Sequence, residues 1–183
     1  EIRRNLRILA GKVSRVIGAD LDANAGENPF IDEFRLIDSP SSSWPVETNS
    51  IDLLLSDWTL EHIEDPDLFW GEARRILKPG GYICIRTTNA WGYVALFSRI
   101  IPEKYHSKLI QKVQKGRKEE DIFPTHYSCN TIPLLRRKLR QYGFSGAVIG
   151  FSGEPAYLNF SCVAYYLGVL YEKFAPSFLQ HTL

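Results

Sequence analysis

The chain has 183 residues, which is enough for one α/β domain with a well-buried core. Hydrophobic residues make up 44% and charged residues 23%, proportions that exclude a disordered or fibrous protein. The formal net charge of +1 excludes a strong overall attraction to nucleic acid or to an anionic membrane.

The charge is nevertheless unevenly distributed along the chain. Residues 101–140 carry 10 basic and 4 acidic side chains, whereas residues 1–100 carry 11 basic and 15 acidic ones. Such a basic stretch is either a solvated helix face or a region that attracts an acidic substrate or a lipid head group. The three cysteines, Cys84, Cys129 and Cys162, show neither zinc spacing nor a disulfide pattern. They predict a reducing, cytoplasmic compartment and no metal site.

Short strands and helices alternate in the first half of the chain, which predicts βαβ units, right-handed crossovers and a mostly parallel sheet. Pro66 suits the first turn of a helix, and the segment Lys78–Gly81 ends that helix. The predicted elements are a helix over 2–13, strands over 15–19, 34–37 and 51–55, a helix from Pro66 that buries Leu68, Phe69, Ala73, Ile76 and Leu77, and a strand over 82–86.

The pattern changes after Asn89, where a helical insertion over residues 92–130 is predicted to end in an aromatic loop. Two features bound the next helix, because Thr131 suits its cap and Gly143 its end. The segment from Ala156 to Tyr171 is strongly apolar but shorter than a membrane span, so we expect it to pack in the core. The predicted elements are helices over 92–101, 103–114 and 131–142, a loop over 121–130, a strand over 147–151 and the entry to a final strand over 177–183.

Acidic side chains close three successive predicted strands. Asp20 and Asp22 follow the first, Asp38 the second and Asp57 the third. In a doubly wound sheet ligands bind at the carboxyl ends of the strands, where such acids can accept hydrogen bonds from ribose hydroxyls or an adenine amine. Each acid alone is better explained as a turn former or helix cap, but together, in this order, they suit an adenosine.

The segments VIGADLD and SWPVETNSIDLLLSDWTLEHIEDPDLFWGEARRILKPGGYICIRTTN resemble class I S-adenosylmethionine-dependent methyltransferases of the type 11 kind. LEHIEDP and RILKPGGY are highly specific in combination, and the close resemblance covers residues 13–89. It implies an α/β fold with a doubly wound, mostly parallel Rossmann-like sheet. It also implies a helical cap at 92–130, after the fifth strand of the family.

The resemblance also implies roles for individual residues. Asp20 matches the acid that binds the cofactor ribose, with Leu21 beside the adenine, and Asp38 the acid near the adenine amine, with Ser39 supplying a backbone donor. Ser56, Asp57 and Trp58 match the strand end beneath the methionine part of S-adenosylmethionine.

Three residues are candidates for catalysis. His62 matches a recurrent histidine after the third strand, and His126 and Tyr127 lie in the aromatic loop. An ordinary histidine pKa suits deprotonation of an oxygen or nitrogen nucleophile. Capping or packing of His62, and simple loop packing of His126 and Tyr127, are the alternative interpretations.

The family begins with a strand and a glycine-rich loop, whereas the first helix predicted in this chain starts at Ile2. We therefore expect residues 1–183 to be a single methyltransferase domain whose native chain extends upstream by at least that strand and loop. The expected function is methyl transfer from S-adenosylmethionine to a small or medium-sized acceptor through oxygen, nitrogen or carbon. If the segment 156–171 is exposed, a lipid-like acceptor or contact with a membrane surface is favoured. RNA is disfavoured, because basic residues are not interleaved with an aromatic platform.

Two alternatives remain at this point. A catalytically inactive scaffold could keep the fold, and an NAD-dependent oxidoreductase could use the same ribose-binding acid. LEHIEDP and LKPGG argue against the oxidoreductase.

Overall fold

A parallel pair of strands opens the fold, and the chain then alternates between strands and helices. The structure is a computed structural model that describes residues 8–93, 95, 124–151, 155, 158, 161–180 and 182–183. Its elements are β1 (Ile17–Asp20), β2 (Glu33–Leu36), β3 (Ile51–Asp57), α1 (Pro66–Ile76), β4 (Leu77–Arg86), α2 (Ile132–Gln141) and α3 (Cys162–Phe174), with short 3-10 helices at Ala23–Glu27 and Leu60–His62.

The described strands form two two-stranded sheets, β1–β2 and β3–β4. The chain also divides into two compact units. The first comprises the described parts of Glu1–Asp52 and of Arg75–Gly81, and the second those of Leu53–Arg74 and of Tyr82–Leu183.

In the first unit β1 and β2 are parallel, with Ile17 opposite Glu33 and Asp20 opposite Leu36. Gly18 in β1 packs closely against Ile31, because a β-carbon there would come within 2.9 Å of the Ile31 side chain and force it to shift. The guanidinium group of Arg75 donates hydrogen bonds to the carbonyls of Val46 (2.7 Å) and Trp44 (2.9 Å). These bonds tie the loop before β3 to the end of α1, close to the buried side chains of this unit, Val46, Ile76 and Leu77.

β3 and β4 run in the same direction. Near their starts Lys78 Nζ is 2.9 Å from both carboxylate oxygens of Asp52. At their ends the Trp58 N–H donates to the Arg86 carbonyl at 2.8 Å. The predicted parallel βαβ unit is therefore present, with α1 as its crossover helix.

The core of the second unit is built around Trp70 on α1, which is 1% exposed. Its ring lies edge-to-face with Phe69 (centroids 5.7 Å apart) and is tilted against Phe144 (5.9 Å). α2 begins as predicted, because the Thr131 side chain accepts from the Leu134 N–H, and the chain leaves the helix at Gly143 with φ +74°. Other buried apolar residues here are Leu60, Ala73, Ala90, Tyr93, Ala95, Cys129, Ile132, Leu135, Val148 and Leu183.

α3 reverses the usual arrangement of an amphipathic helix. Gly168 and Glu172 are buried, whereas the apolar side chains Val163, Tyr166, Leu167, Leu170 and Phe174 are exposed. The expectation that this segment packs in the core is therefore wrong for the residues of α3. No helix in the described portion of the chain is both long enough and apolar enough to span a bilayer.

Several sequence predictions need correction. Residues 9–13, the described end of the predicted first helix, form a turn in which the Lys12 N–H donates to the Leu9 carbonyl (2.9 Å) and Gly11 has φ +75°. Leu68 on α1 is exposed rather than buried. No strand spans 147–151; Phe151 makes only an isolated antiparallel bridge to Thr182. β4 starts at Leu77 and includes the predicted stop, because Gly80 adopts φ +81° without ending the strand. Most of the predicted helices over 92–101 and 103–114 lies outside the described residues.

Asp67 joins α1 to α2 and should make the stability of the protein depend on pH. Its Oδ1 accepts from Lys138 Nζ (2.5 Å) and from Tyr142 Oη (2.7 Å). The hydrogen bonds from Lys138 and Tyr142 lower the pKa of Asp67 below 3.8. The bond to Asp67 raises the pKa of Tyr142 to about 12. The stabilising contribution of Asp67 is therefore present above pH 3.8 and lost as the pH falls through its folded pKa, whereas that of Tyr142 is present below pH 10 and lost as the pH rises toward 12.

We expect Asp67→Asn to lower the free energy of unfolding by about 1 kcal/mol at neutral pH, since the carboxylate is half exposed. It should also flatten the acid limb of stability and return the Tyr142 titration toward its ordinary range. Urea unfolding against pH and phenolate absorbance, with Tyr142→Phe subtracted to isolate this phenol, measure both effects. An unchanged Tyr142 titration in Asp67→Asn would contradict the assignment.

Candidate functional site

The first group of predicted site residues follows the parallel pair β1–β2. Asp20 is the last residue of β1, and its carbonyl accepts from the Ile37 N–H at 2.8 Å, so Asp38 directly follows this contact. The carboxylates of Asp20 and Asp38 are both exposed. The structure thus brings these two acids to the same, carboxyl edge of the pair, as predicted for an adenosine site.

Local hydrogen bonds shape both turns at this edge. Asp20 Oδ1 accepts from the Asp22 N–H (3.0 Å), and Asp22 Oδ1 caps the following 3-10 helix by accepting from the Asn24 N–H (2.9 Å). Leu21 is half exposed between them. Ser39 opens a serine turn, with its hydroxyl 2.8 Å from that of Ser42. Asp22 is therefore a helix cap, whereas Asp20 uses one oxygen locally and presents an exposed carboxylate.

The second group lies at the end of β3. Ser56 is buried, and no described residue offers its Oγ a hydrogen bond. Both oxygens of Asp57 accept from Arg86, at Nε (2.5 Å) and Nη2 (2.5 Å). Trp58 adopts φ +57°, and the Arg86 guanidinium carbon lies 5.0 Å from the centroid of its ring. Arg86 therefore holds the strand end by a two-pronged ion pair and a cation–π contact.

The three candidate catalytic residues come together just after this strand end. The main-chain carbonyl of Glu61 accepts from the N–H groups of His126 (2.8 Å) and Tyr127 (3.2 Å). The Pro124 carbonyl lies 2.8 Å from Nδ1 of His62. The aromatic loop is thus attached to the segment that carries His62, although residues 61 and 126 are far apart in sequence.

The side-chain carboxylate of Glu61 binds the residues that follow β4. It is 5% exposed and accepts from the hydroxyls of Thr87 (2.7 Å) and Thr88 (3.1 Å) at the end of β4. The side-chain Nδ2 of Asn130 donates to the Thr87 hydroxyl at 2.6 Å, and the main-chain carbonyl of Asn130 accepts from the Ala90 N–H at 2.7 Å. A buried polar network therefore links the residues after β3, the residues after β4 and the aromatic loop.

The contact to Pro124 determines the tautomer of His62. A carbonyl oxygen can only accept, so Nδ1 of His62 carries the proton. The lone pair of the neutral imidazole then lies at Nε2, which is the nitrogen that can take up a proton. His126 is exposed, and Tyr127 is half-buried with φ +52°.

Cysteine and metal chemistry find no support in the described residues. Burial raises the pKa of the Cys129 thiol to about 11, which leaves it neutral and unreactive. Cys84 and Cys162 are exposed free thiols. The described residues contain no cluster of three or more metal-ligating side chains.

A comparison with protein families finds one whose model matches the first part of this chain. Residues 3–85 match the model of the family described as "Methyltransferase domain". That range contains Asp20, Asp38 and Asp57 with the three strands that they close. By this match residues 3–85, which are 83 of the 183 residues, are similar to a methyltransferase domain.

Solved structures confirm the methyltransferase fold. A Mesorhizobium loti S-adenosylmethionine-dependent methyltransferase is 17% identical with a TM-score of 0.54, covering 93% of this chain and 80% of its own. A chain from the complex between the Haloferax volcanii Trm112 methyltransferase activator and a methyltransferase is 20% identical with a TM-score of 0.57, covering 93% and 70%. A Thermotoga maritima protein described as a S-adenosylmethionine-dependent methyltransferase, possible histamine N-methyltransferase, is 20% identical with a TM-score of 0.52 and is matched over 78% of this chain. The chain spans only 61% of the length of the Thermotoga protein. A search of curated proteins finds no match.

Three residues whose contacts hold the candidate site together were not predicted from the sequence: Glu61, Thr87 and Arg86. Asp57 is the last residue of β3 and Arg86 the last residue of β4. Because a parallel pairing places these two strand ends side by side, the sequence could have predicted their ion pair. Glu61 lies within LEHIEDP, but nothing in the sequence shows that its side chain turns inward.

We expect Glu61→Ala to lower the free energy of unfolding by about 2–4 kcal/mol, because the buried hydroxyl of Thr87 and the part-buried hydroxyl of Thr88 lose their shared acceptor. Glu61→Gln keeps the shape and should cost about 1 kcal/mol. The neighbouring exposed Glu64→Gln is the matched control and should stay within about 0.5 kcal/mol of wild type. Urea unfolding measures all three, and equal values for Glu61→Ala and Glu64→Gln would refute the anchoring role.

Proposed function

We propose that this methyltransferase domain binds S-adenosylmethionine and transfers its methyl group to a small or medium-sized acceptor through oxygen, nitrogen or carbon. The observation that carries the proposal is the family match over residues 3–85, which contains all seven residues predicted for the cofactor. The α/β fold shared with the solved methyltransferases supports it.

The contacts of the described residues fit the proposed cofactor roles. The exposed carboxylate of Asp20 suits the ribose hydroxyls, and Asp38 at the same edge suits the adenine amine. Leu21 offers apolar surface to the adenine, and Ser39 a backbone donor. At the end of β3 the buried Ser56 hydroxyl lacks a described partner, which suits a polar ligand group there.

In this proposal Asp57 does not contact the cofactor directly but stabilises the end of β3. Arg86 engages both of its carboxylate oxygens, so the pair fixes the conformation of the strand end. Together with the stack on Trp58 it would shape the floor under the methionine part of the cofactor.

His62 is the proposed general base for an acceptor that must lose a proton. S-adenosylmethionine supplies an activated methyl group, and the acceptor atom displaces the thioether as the new bond forms. Nε2 of His62 can take the acceptor proton, because Nδ1–H is held by the Pro124 carbonyl. His126 and Tyr127, on the attached loop, are proposed to orient the acceptor.

The acceptor class, location and domain organisation are further parts of the proposal. The exposed apolar surface of α3 favours an acceptor that is small or lipid-like over nucleic acid. Three free cysteines favour the cytoplasm. We retain residues 1–183 as one methyltransferase domain with a cap over 92–130, most of which lies outside the described residues.

Binding of S-adenosylhomocysteine tests the cofactor site. We expect the full-length protein to bind it saturably, and Asp20→Ala to raise the dissociation constant about a hundredfold through loss of two charge-assisted hydrogen bonds. Asp22→Asn is the matched control, because asparagine caps a helix as well as aspartate does, and should change it less than about twofold. Calorimetry gives the constants. Binding of NAD in place of S-adenosylhomocysteine would instead support an oxidoreductase.

Transfer of an isotope-labelled methyl group tests the reaction. Incubated with labelled S-adenosylmethionine and a cell extract, the protein should place label in the small-molecule or lipid fraction. His62→Gln should reduce that label about a hundredfold for an oxygen or nitrogen acceptor, with S-adenosylhomocysteine binding unchanged. Label in RNA or protein would contradict the acceptor class, and cofactor binding without transfer would favour an inactive scaffold.

A further inference from the structure

The outward face of α3 is apolar over its whole length. Five side chains, Val163, Tyr166, Leu167, Leu170 and Phe174, fall on one helical stripe and are between 51% and 73% exposed. Phe178, just beyond the helix, is also exposed. An ordinary surface helix turns such a stripe toward the core. A contiguous apolar stripe that is exposed instead indicates a surface that binds an apolar partner.

The opposite face holds α3 in this orientation. A β-carbon on Gly168 would come within 2.6 Å of the Leu158 side chain and 2.8 Å of Pro155, so the helix backbone packs directly on this segment. Tyr171 stacks edge-to-face on Tyr93 (5.6 Å), and its hydroxyl donates to the Leu179 carbonyl (2.9 Å). Because these contacts are specific, the apolar stripe is fixed outward.

The exposed charges of α3, and of α2 in the same unit, are basic. The one acid of α3, Glu172, is buried, whereas its one base, Lys173, is exposed with Nζ 5.6 Å from the Phe174 ring. In the same unit α2 contains no acid and exposes three arginines, Arg136, Arg137 and Arg140. The exposed charge on both helices is therefore complementary to an anionic surface.

We propose that α3 lies in the interface of an anionic lipid membrane with its apolar stripe facing the acyl chains. At 13 residues the helix is about 20 Å long, too short to cross the hydrocarbon core but suited to lying in its surface. Tyr166 and Phe174 supply the aromatic side chains that favour this depth, and Lys173 reaches the head groups. This inference goes beyond the methyl transfer and does not depend on it.

Vesicle flotation of the full-length native protein tests the proposal. We expect the protein to float with vesicles of phosphatidylcholine mixed with phosphatidylglycerol in equal parts and to float less with pure phosphatidylcholine. Leu167→Glu should reduce the partition coefficient at least about tenfold, because a charge replaces an inserted apolar group. Lys173→Ala should reduce it about fivefold.

Ile149→Glu is the matched control, since Ile149 is 64% exposed and Leu167 62%. It should bind vesicles like wild type. Circular dichroism and S-adenosylhomocysteine calorimetry of each variant distinguish a misfolded protein from a folded one that no longer binds the membrane. If the wild-type protein floats with vesicles but does not bind S-adenosylhomocysteine, only the proposed function is contradicted. Absence of flotation with either vesicle, or equal loss in Ile149→Glu and Leu167→Glu, would overturn the proposal. So would a dimer in sedimentation that Leu167→Glu dissociates, since the stripe would then bind a second copy.

Discussion

The positions of the candidate catalytic residues depend on the hydrogen bonds of Glu61, whose carboxylate is buried. An acid that is 5% exposed is costly unless hydrogen bonds satisfy it, and Thr87 and Thr88 supply them. The same residue offers its main-chain carbonyl to the aromatic loop. One residue thus binds the end of β4 with its side chain and the loop with its backbone, so the positions of His62 and the loop are set together.

Electrostatic compensation recurs at the neighbouring strand end. Asp57 and Arg86 are the last residues of two adjacent strands, and each neutralises the charge of the other. Two like charges at these positions would repel each other and push the strand ends apart. Arg86 also covers the Trp58 ring, and this contact accompanies a left-handed backbone at Trp58 that costs about 1–2 kcal/mol. Charge pairing and stacking therefore accompany a backbone conformation at Trp58 that local preference disfavours.

The sequence was sufficient for the presence of β1–β4, α1 and α2 and for the similarity to methyltransferases, because periodicity, caps and LEHIEDP with LKPGG are local signals. It was not sufficient for the inward turn of Glu61, since a glutamate in a polar segment is ordinarily solvated and only the fold brings Thr87 beneath it. It was wrong about the apolar residues that form α3, because composition shows that a helix is hydrophobic but not which of its sides the domain covers. Gly168, the small residue that lets the helix pack on Pro155, was the available signal for the buried side.

His126 and Tyr127 of the aromatic loop are attached to Glu61 through their main-chain amide groups. His126 and Tyr127 both donate main-chain N–H groups to a main-chain carbonyl, so these two bonds exclude proline but do not depend on either side chain, although the φ of +52° at Tyr127 disfavours β-branched residues there. A segment held in this way can diversify in sequence during evolution while its path stays fixed. New acceptor preferences could therefore arise on this scaffold by point substitution, without first solving the problem of loop placement again.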